Sequence, residues 1–290
     1  MNINEYFSRI NYKDPNEKLD IATLSRIMHH HIMALPFENL SIHCQETIQL
    51  NLETTFQKLV KKQRGGWCTE LNYLLFWVLK TMGYNVIMLA SNIFVPALGT
   101  YNQYATHLIV RVVIGSKAYL VDSGFGTSSQ MFEPLEFISG MDQFQIPGIF
   151  RLTEDNGFWY LDKIRRKQLI TNELFSESEL IDRSDHKRLY CFTLEEKTIE
   201  FFKDTCRFLQ TSPKSLFTNK SICSLQTEEG VRTLVGWTYT ETRYNYMEGV
   251  DLVEFTTIQD DSIQQVLRER FGIVLESRLV VINNSATYNI

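Results

Sequence analysis

Closely spaced cysteines are missing from this sequence. The chain has 290 residues and an odd number of cysteines, and no two of them form a C-x-x-C pair. Cysteine-based zinc sites and disulfide frameworks both depend on such spacing or on even numbers. We therefore expect no structural zinc, no disulfide scaffold and a reducing, cytoplasmic setting. The cysteines are Cys44, Cys68, Cys191, Cys206 and Cys223.

Long apolar runs and an excess of basic residues are also missing. No run approaches the roughly 18 apolar residues that cross a bilayer, and the amino terminus, which carries Glu5, lacks the apolar segment of a signal peptide. The formal net charge is −5, which gives no general attraction to nucleic acid or anionic membranes. We expect neither as a partner. Because no heptad repeat or apolar seam is present, we expect a monomer.

Motifs for binding metals and phosphates are weak. His29, His30 and His31 are consecutive, so on a helix they point in different directions, whereas helical metal pairs need i, i+4 spacing. The pattern Gly124-Phe125-Gly126 is too short to identify a phosphate loop. We expect no metal site.

The spacing of apolar residues changes along the chain, and hydrophobic residues make up 44% of it, enough for a sizeable core. Up to residue 83 the spacing is helical, with Asp20 and Asn51 as N-cap residues. From about residue 85, β-branched and aromatic runs separated by turns predict a mostly antiparallel sheet or barrel. Later segments predict a helix at 198–209, strands at 231–239 and 252–256, and a last helix from a near capping box at Thr257 to Gly272.

A polar, charged stretch at 168–188 predicts an excursion from the central sheet. The basic group before it is typical of a solvated face. Direct binding of an anion is the alternative. The group consists of Lys163, Arg165, Arg166 and Lys167.

One cysteine has a distinctive setting. Arg64-Gly65-Gly66-Trp67-Cys68 precedes an almost wholly apolar stretch, 71–82, which describes a buried helix. The thiol is therefore predicted at the amino end of a helix, where unpaired N–H groups and the macrodipole favour a thiolate. The two glycines allow a close backbone approach. We interpret Cys68 as a nucleophile; a small buried cysteine that only packs is the alternative.

A nucleophilic cysteine needs a base, and the base needs an orienting group. The strand that begins near His107 reaches Gly115-Ser116, a type II′ hairpin signal. A two-residue loop there pairs Ile114 with Lys117 and puts His107 diagonal to Asp122 on one face, at a Cβ separation of roughly 7 Å or less. A three-residue loop would put the two on opposite faces. The hairpin predicts a histidine–carboxylate pair, the alternative being a packed histidine and a turn aspartate.

Several motifs together resemble those of the arylamine N-acetyltransferases. They are Arg64-Gly65-Gly66-Trp67-Cys68, His107, Asp122-Ser123-Gly124-Phe125-Gly126, Leu35-Pro36-Phe37-Glu38-Asn39-Leu40 and Gln210-Thr211-Ser212-Pro213. The match covers essentially the whole chain and is nearest to the vertebrate-type branch. It implies an α+β fold, similar to papain-like and transglutaminase enzymes, in which Cys68, His107 and Asp122 form a triad. It also implies a helical bundle over 1–83, a central β-barrel over 84–192, a connector over 193–229 and an α/β lid over 230–290.

The resemblance implies ping-pong chemistry. Acetyl-CoA acetylates Cys68, CoA leaves, and an arylamine or hydrazine takes the acetyl group from the thioester. The acceptor contacts implied are Phe37, Ile93, Thr106, His107, Phe125, Thr127 and Ser129. The CoA contacts implied are Gln103, Tyr104, Phe208, Lys214 and Thr287. Because the same triad serves related folds, a Cys-His-Asp amide hydrolase or transglutaminase-like enzyme is the alternative function.

The residues implied for CoA binding differ from those usual in the family. Tyr104 is bulky where glycine is usual, Phe208 lacks a tyrosine hydroxyl, and Lys214 is charged. These differences leave the predicted chemistry of the triad unchanged. They also suggest a hypothesis, that Lys214 meets a phosphate of CoA directly.

Overall fold

The computed structural model describes residues 1–14, 18–178, 181 and 185–284. Helices dominate its first part. The α-helices are α1 (Ile3–Arg9), α2 (Ile21–Ala34), α3 (Leu40–His43), α4 (Leu52–Phe56), α5 (Cys68–Met82), α6 (Lys203–Thr211), α7 (Leu216–Asn219) and α8 (Ile263–Phe271). A π-helical turn covers Gln57–Lys61, and 3-10 turns cover Pro96–Leu98, Thr127–Ser129, Glu173–Phe175, Ile199–Phe202 and Asp260–Ser262.

Strands dominate the remainder of the chain. They are β1 (Phe37–Glu38), β2 (Asn85–Val95), β3 (Thr100–Tyr101), β4 (His107–Ile114), β5 (Lys117–Val121), β6 (Leu135–Glu136), β7 (Asp142–Gln145), β8 (Gly148–Asp155), β9 (Phe158–Ile164), β10 (Lys167–Ile170), β11 (His186–Phe192), β12 (Ile222–Thr227), β13 (Gly230–Val235), β14 (Thr238–Met247) and β15 (Val250–Thr257).

A nine-stranded antiparallel sheet forms a nearly closed barrel. Its order is β6-β5-β4-β2-β11-β9-β8-β7, and β3 pairs with the end of β2. Glutamine side chains join the two edge strands. Gln143 donates to the carbonyl of Glu136 over 2.9 Å and accepts its N–H over 2.8 Å, and Gln145 bonds Glu133 in the same way. The side chains of one edge thereby satisfy the backbone of the other and close the barrel.

A six-stranded sheet lies in the order β1-β12-β13-β14-β15-β10. It draws strands from distant parts of the chain. Strand β1 comes from the helical part and places Glu38 opposite Cys223, while β10 comes from the predicted excursion and pairs with β15 in parallel. Strand β12 lies inside the range 193–229, which was predicted as a connector. Its hydrogen bonds to β1 and β13 make it a strand of this sheet.

The predicted α+β class is confirmed, and most predicted helix ends are as expected. Asp20 and Asn51 each accept a hydrogen bond from a backbone N–H in the first helical turn, and Gly83 ends α5 with a φ of 103°. The near capping box at Thr257 is wrong, because that residue ends β15 and α8 begins after a 3-10 turn. The predicted strand 231–239 is two strands, since Gly236 (φ 57°) makes a turn within it.

The main core lies between α5 and the barrel. Helix α5 packs against β2 and β4, and the buried apolar side chains of these elements form one continuous cluster. A smaller cluster covers the six-stranded sheet with α8. Among the described residues, no helix combines the length and the apolar character needed to cross a membrane.

Candidate active site

Helix α5 begins at Cys68 because the preceding segment is locked against β1. Glu38 donates its N–H to the carbonyl of Gly66 over 2.9 Å, and the N–H of Gly66 reaches the carbonyl of Pro36 over 3.1 Å. A Cβ on Gly65 would lie only 2.1 Å from the carbonyl oxygen of Pro36. No side chain fits there, so the glycines allow the close approach that fixes the start of the helix.

Buried ion pairs hold the segment that precedes Cys68 in place. Arg64 contacts the carboxylate of Glu38 at 2.8 Å, and Lys58 contacts that of Glu70 at 2.8 Å. Burial raises the pKa of Glu38, but the charges of Lys58 and Arg64 outweigh it and the net pKa is lowered. Glu70 also accepts the N–H of Trp67 over 3.3 Å at the first turn of α5. These charges hold the helix terminus in place.

The hairpin joins His107 to Asp122 as predicted. Ile114 lies opposite Lys117, and Gly115 has a φ of 60° while Ser116 has no positive φ, as a type II′ turn requires. His107 Nε2 lies 2.7 Å from Asp122 Oδ2, and both side chains are buried. The two-residue loop therefore fixes the register that brings the imidazole and the carboxylate together.

Asp122 is surrounded by donors. Besides His107, its carboxylate accepts Asn72 Nδ2 at 2.8 Å, the N–H of Gly124 at 3.0 Å and the hydroxyl of Tyr190 at 3.0 Å. Burial raises the pKa of Asp122, but the charge of His107 and the hydrogen bonds from His107, Asn72 and Gly124 outweigh it and lower the pKa below its ordinary value. The carboxylate stays ionised at neutral pH, which is the form that holds an imidazolium.

Cys68 lies beside His107 at the amino end of α5. Its thiol is 3.8 Å from the carbonyl oxygen of Thr106, and its side chain interacts with that of His107. Burial lowers the pKa of His107, but the charges of Asp122 and Cys68 outweigh it and raise the pKa from 6.5 to about 10. Because Nε2 of the imidazole faces Asp122, Nδ1 is the ring nitrogen available to interact with the Cys68 thiol. The arrangement supports a thiolate–imidazolium pair.

A close backbone contact fixes the position of Cys68. A Cβ on Gly124 would lie 2.6 Å from the Cα of Cys68, so only glycine permits this packing. Gln130 holds the same segment, since its side chain accepts the N–H groups of Phe125 and Gly126 and donates to the carbonyl of Asp122 over 2.5 Å. The turn after the hairpin is therefore pressed against the start of α5.

The residues predicted to contact an acceptor lie around this turn. The ring of Phe125 meets His107 edge-on at 5.3 Å, and Phe37 packs where a Cβ of Gly126 would be. Ile93 is the β-sheet partner of Tyr190, whose ring lies 5.4 Å from Phe125. The carbonyl of Thr106 lies 3.8 Å from the Cys68 thiol, and the 3-10 turn Thr127–Ser129 follows Gly126 directly.

The residues predicted to contact CoA are more scattered. Gln103 and Tyr104 are exposed in the turn before β4, and Thr205 of α6 donates to the carbonyl of Ala105 in that turn over 3.4 Å. Phe208 is half exposed one helical turn past Thr205, so it lies on the helix face that meets this turn. Lys214 is exposed after α6. Thr287 lies outside the described residues.

Sequence reasoning missed two partners of Asp122, namely Asn72 and Tyr190. Asn72 was detectable, because it lies four residues after Cys68 and so projects from the same face of α5. Tyr190 gave no local signal, since β11 reaches the site only by inserting between β2 and β9. In the part of the chain that the structure describes, no cluster of three metal-binding side chains occurs.

Comparisons with known proteins agree on one family. A sequence profile of the N-acetyltransferase family matches residues 20–280. The chain is 54% identical to the arylamine N-acetyltransferase, pineal gland isozyme NAT-10, of Gallus gallus over 100% of both chains. It is 49% identical to arylamine N-acetyltransferase 1 of Homo sapiens over 97% of each. The solved structure of Mycobacterium marinum arylamine N-acetyltransferase in complex with CoA superposes with a TM-score of 0.78 at 25% identity, covering 94% of this chain and 93% of that one. This chain belongs to the arylamine N-acetyltransferase family.

Proposed function

We propose that the site transfers an acetyl group from acetyl-CoA to arylamines and hydrazines through a thioester on Cys68. The observation that carries this proposal is the buried 2.7 Å bond between His107 and Asp122 beside the thiol. Cys68 is the nucleophile, His107 the acid and base, and Asp122 the group that orients the imidazole and stabilises its cation.

In the first half-reaction the Cys68 thiolate attacks the carbonyl carbon of acetyl-CoA. A carbon–sulfur bond forms to Cys68, the bond to the CoA sulfur breaks, and the proton on His107 passes to that sulfur. In this scheme the N–H of Cys68, one of the unpaired groups at the start of α5, stabilises the oxyanion of the tetrahedral intermediate.

In the second half-reaction the amine nitrogen attacks the acetyl carbon on Cys68. His107 accepts the proton that the nitrogen loses, the carbon–sulfur bond breaks, and Cys68 leaves as a thiolate. General acid–base help of this kind accelerates such steps by about 10²–10⁴-fold. Each cycle returns the thiolate–imidazolium pair.

CoA is proposed to enter along the turn before β4. Tyr104, 76% exposed, and Phe208, 50% exposed, present apolar surface beside the Thr106 carbonyl. We propose that both, with Gln103, contact the CoA chain, and that Lys214 meets a phosphate. The CoA complex of the Mycobacterium marinum relative supports CoA binding by this fold. If Lys214→Ala left the value and the salt dependence of the acetyl-CoA KM unchanged, the phosphate contact would be wrong.

The acceptor is proposed to enter opposite CoA. Phe125 narrows that side of the site toward small substituted anilines, whereas the modest size of Ile93 leaves room beside Tyr190. Phe37, Thr127 and Ser129 complete this wall. A panel of arylamines and hydrazines compared by kcat/KM tests the assignment.

The competing function is amide hydrolysis or transglutamination by the same triad. Incubation with acetyl-CoA and no amine separates the two, since only the transferase gains one acetyl group on Cys68. Intact-protein mass spectrometry of the wild type and of Cys68→Ala measures this gain. No acetyl on the wild type would favour the hydrolase.

We also propose that the protein works as a monomer in the cytoplasm, on small molecules and not on nucleic acid or membranes. The net charge of −5 and the absence of a disulfide among the described cysteines support this setting. Size-exclusion chromatography with light scattering would reveal an oligomer.

A further inference from the structure

Lys163 is a buried lysine on β9 that has no role in the mechanism above. The side chain is 2% exposed, and its Nζ donates to the carbonyl of Ser128. The rings of Phe150 and Tyr244 lie 5.5 and 5.8 Å from the amino group. A Cβ on Gly148 would be 2.9 Å from the lysine Cε, so that glycine makes room for the side chain.

The lysine has no carboxylate in an ion pair with it among the residues that the structure describes. None of the ion pairs between described residues includes Lys163, and the nearby Asp251 is bound to Arg166 at 2.6 Å. Burial lowers the pKa of Lys163 well below its ordinary value, the charge of Arg165 lowers it further, and Asp251 opposes the shift. Burying an amine with so few polar partners is unfavourable. The hydrogen bond to the Ser128 carbonyl is the main polar interaction that offsets this cost.

Ser128 belongs to the 3-10 turn that walls the acceptor side of the site. From the six-stranded sheet, Ser224 Oγ accepts the N–H of Thr127 at 3.0 Å, and Gln226 donates to the carbonyl of Thr127 over 2.8 Å. Lys163 binds the next carbonyl from the barrel. The turn is thus pinned from both sheets, one on each side.

The turn depends on these hydrogen bonds to keep its conformation. Thr127 has a φ of 48°, which is an outlier for a β-branched residue and persists only where surrounding contacts impose it. Thr127 and Ser128 also line a cavity of about 60 Å³, which leaves the turn space to move on that side. Without the hydrogen bond from Lys163, the strained backbone at Thr127 can relax into the adjacent cavity.

We propose that Lys163 is a positioning residue that fixes the acceptor wall through Ser128 and thereby sets which amines reach acetyl-Cys68. It takes no part in the acetylation of Cys68 by acetyl-CoA. This inference rests on the proposed function, because it concerns the second half-reaction of that scheme. A lysine that only filled space between the sheets would have no effect on acceptor choice once its volume was replaced.

The experiment compares both half-reactions in Lys163→Met, which keeps the apolar stem and removes the donor. Acetylation of Cys68 is followed by intact mass without amine, and kcat/KM is then measured for aniline and for bulkier para-substituted anilines. We expect acetylation within twofold of wild type and a change of about tenfold in the ratio of kcat/KM between the bulkier amines and aniline. Hydrogen exchange of the 126–129 segment should be faster. Lys163→Gln keeps a donor on a shorter side chain, so its kcat/KM ratio and its exchange rate should lie between those of the wild type and of Lys163→Met.

Lys80→Met is the matched control, because exposed Lys80 also lies over an aromatic ring, that of Phe76 at 5.3 Å. It should leave both half-reactions and the exchange unchanged. An unaltered acceptor ratio in Lys163→Met, or equal slowing of both half-reactions, would overturn the inference. If Lys163→Met does not fold, Lys163→Gln is judged by the same criteria. A wild type that gains no acetyl on Cys68 would refute the proposed function instead, and exchange would still test the hold on Ser128.

Discussion

Asn72 donates to the carboxylate of Asp122 over 2.8 Å from a position one helical turn past Cys68. The same amide nitrogen reaches the carbonyl of Leu108 over 2.7 Å, and the amide oxygen accepts the N–H of Ser123 over 2.8 Å. One buried side chain therefore joins the helix that carries Cys68 to the hairpin that carries His107 and Asp122. The two are fixed relative to each other before substrate binds.

Replacing Asn72 with alanine should loosen this joint. The change removes the acceptor of the buried Ser123 N–H and hydroxyl and one of the donors to Asp122. A buried group left unpaired costs about 1–3 kcal/mol, so we expect a loss of about 2–4 kcal/mol in the free energy of unfolding. The rate of Cys68 acetylation should fall as well. Urea unfolding and intact mass measure the two effects, with exposed Asn4→Ala as control. An Asn72→Ala variant as stable and as active as the wild type would contradict the account.

Removing the Tyr190 hydroxyl should alter the pH profile of the enzyme. Burial and the charge of Asp122 raise the pKa of Tyr190 well above 10, so the hydroxyl remains a donor to Asp122 Oδ2. Tyr190→Phe removes a bond that favours the ionised carboxylate, and the pKa of Asp122 should rise. The acid limb of kcat/KM should therefore move to higher pH, while the partly buried control Tyr160→Phe leaves it in place. An unmoved acid limb would show that the hydroxyl does not tune the carboxylate.

The His107–Asp122 pair should stabilise the fold most in mildly acidic solution. His107 has a folded pKa of about 10, above its ordinary 6.5, so its contribution is fully present below about pH 6.5 and is lost as pH rises through 10. Asp122 has a lowered pKa, so its contribution is present above about pH 4 and is lost in stronger acid. The difference in unfolding free energy between the wild type and His107→Gln should be largest between these limits. Urea titrations at pH 5, 7.5 and 10 test this; a difference that does not shrink toward pH 10 would refute it.

The charges beneath α5 should behave as a coupled pair. Arg64→Met leaves the carboxylate of Glu38, which is 0% exposed, without its nearest cation, and such a change costs about 3–5 kcal/mol. Adding Glu38→Gln removes the stranded charge, so the double variant should be more stable than Arg64→Met alone. Urea unfolding of the two single variants and the double variant gives the coupling energy. Additive effects would mean that the two side chains act independently.

Local rules predicted the core of the site. Gly115-Ser116 specified a two-residue turn, and strand alternation then dictated which face His107 shares with Asp122. The apolar stretch after Cys68 and the closing Gly83 likewise specified α5. Each of these follows from backbone sterics or periodicity within about 15 residues, where the chain has few alternatives.

Long-range pairing was beyond such rules. Tyr190 reaches Asp122 only because β11 pairs with β2, and β10 joins β15 in parallel across some 80 residues. Gly236 was overlooked as a turn because residues of high β propensity flank it on both sides. Lys163 was predicted to belong to a solvated basic group. Its side chain is instead buried, because the alternation along β9 turns it toward the interior. Tertiary packing decides these cases.

The central claim is that acetyl passes through Cys68, and single-turnover transfer tests it most directly. The protein is loaded with acetyl-CoA, freed of excess donor, and mixed with an arylamine while intact mass and product are followed together. We predict that the mass of one acetyl group is lost from Cys68 as one equivalent of N-acetylated amine appears, and that Cys68→Ala never acquires it. An acetyl group that remains on Cys68 in the presence of amine, or product formed by Cys68→Ala at the wild-type rate, would contradict the account.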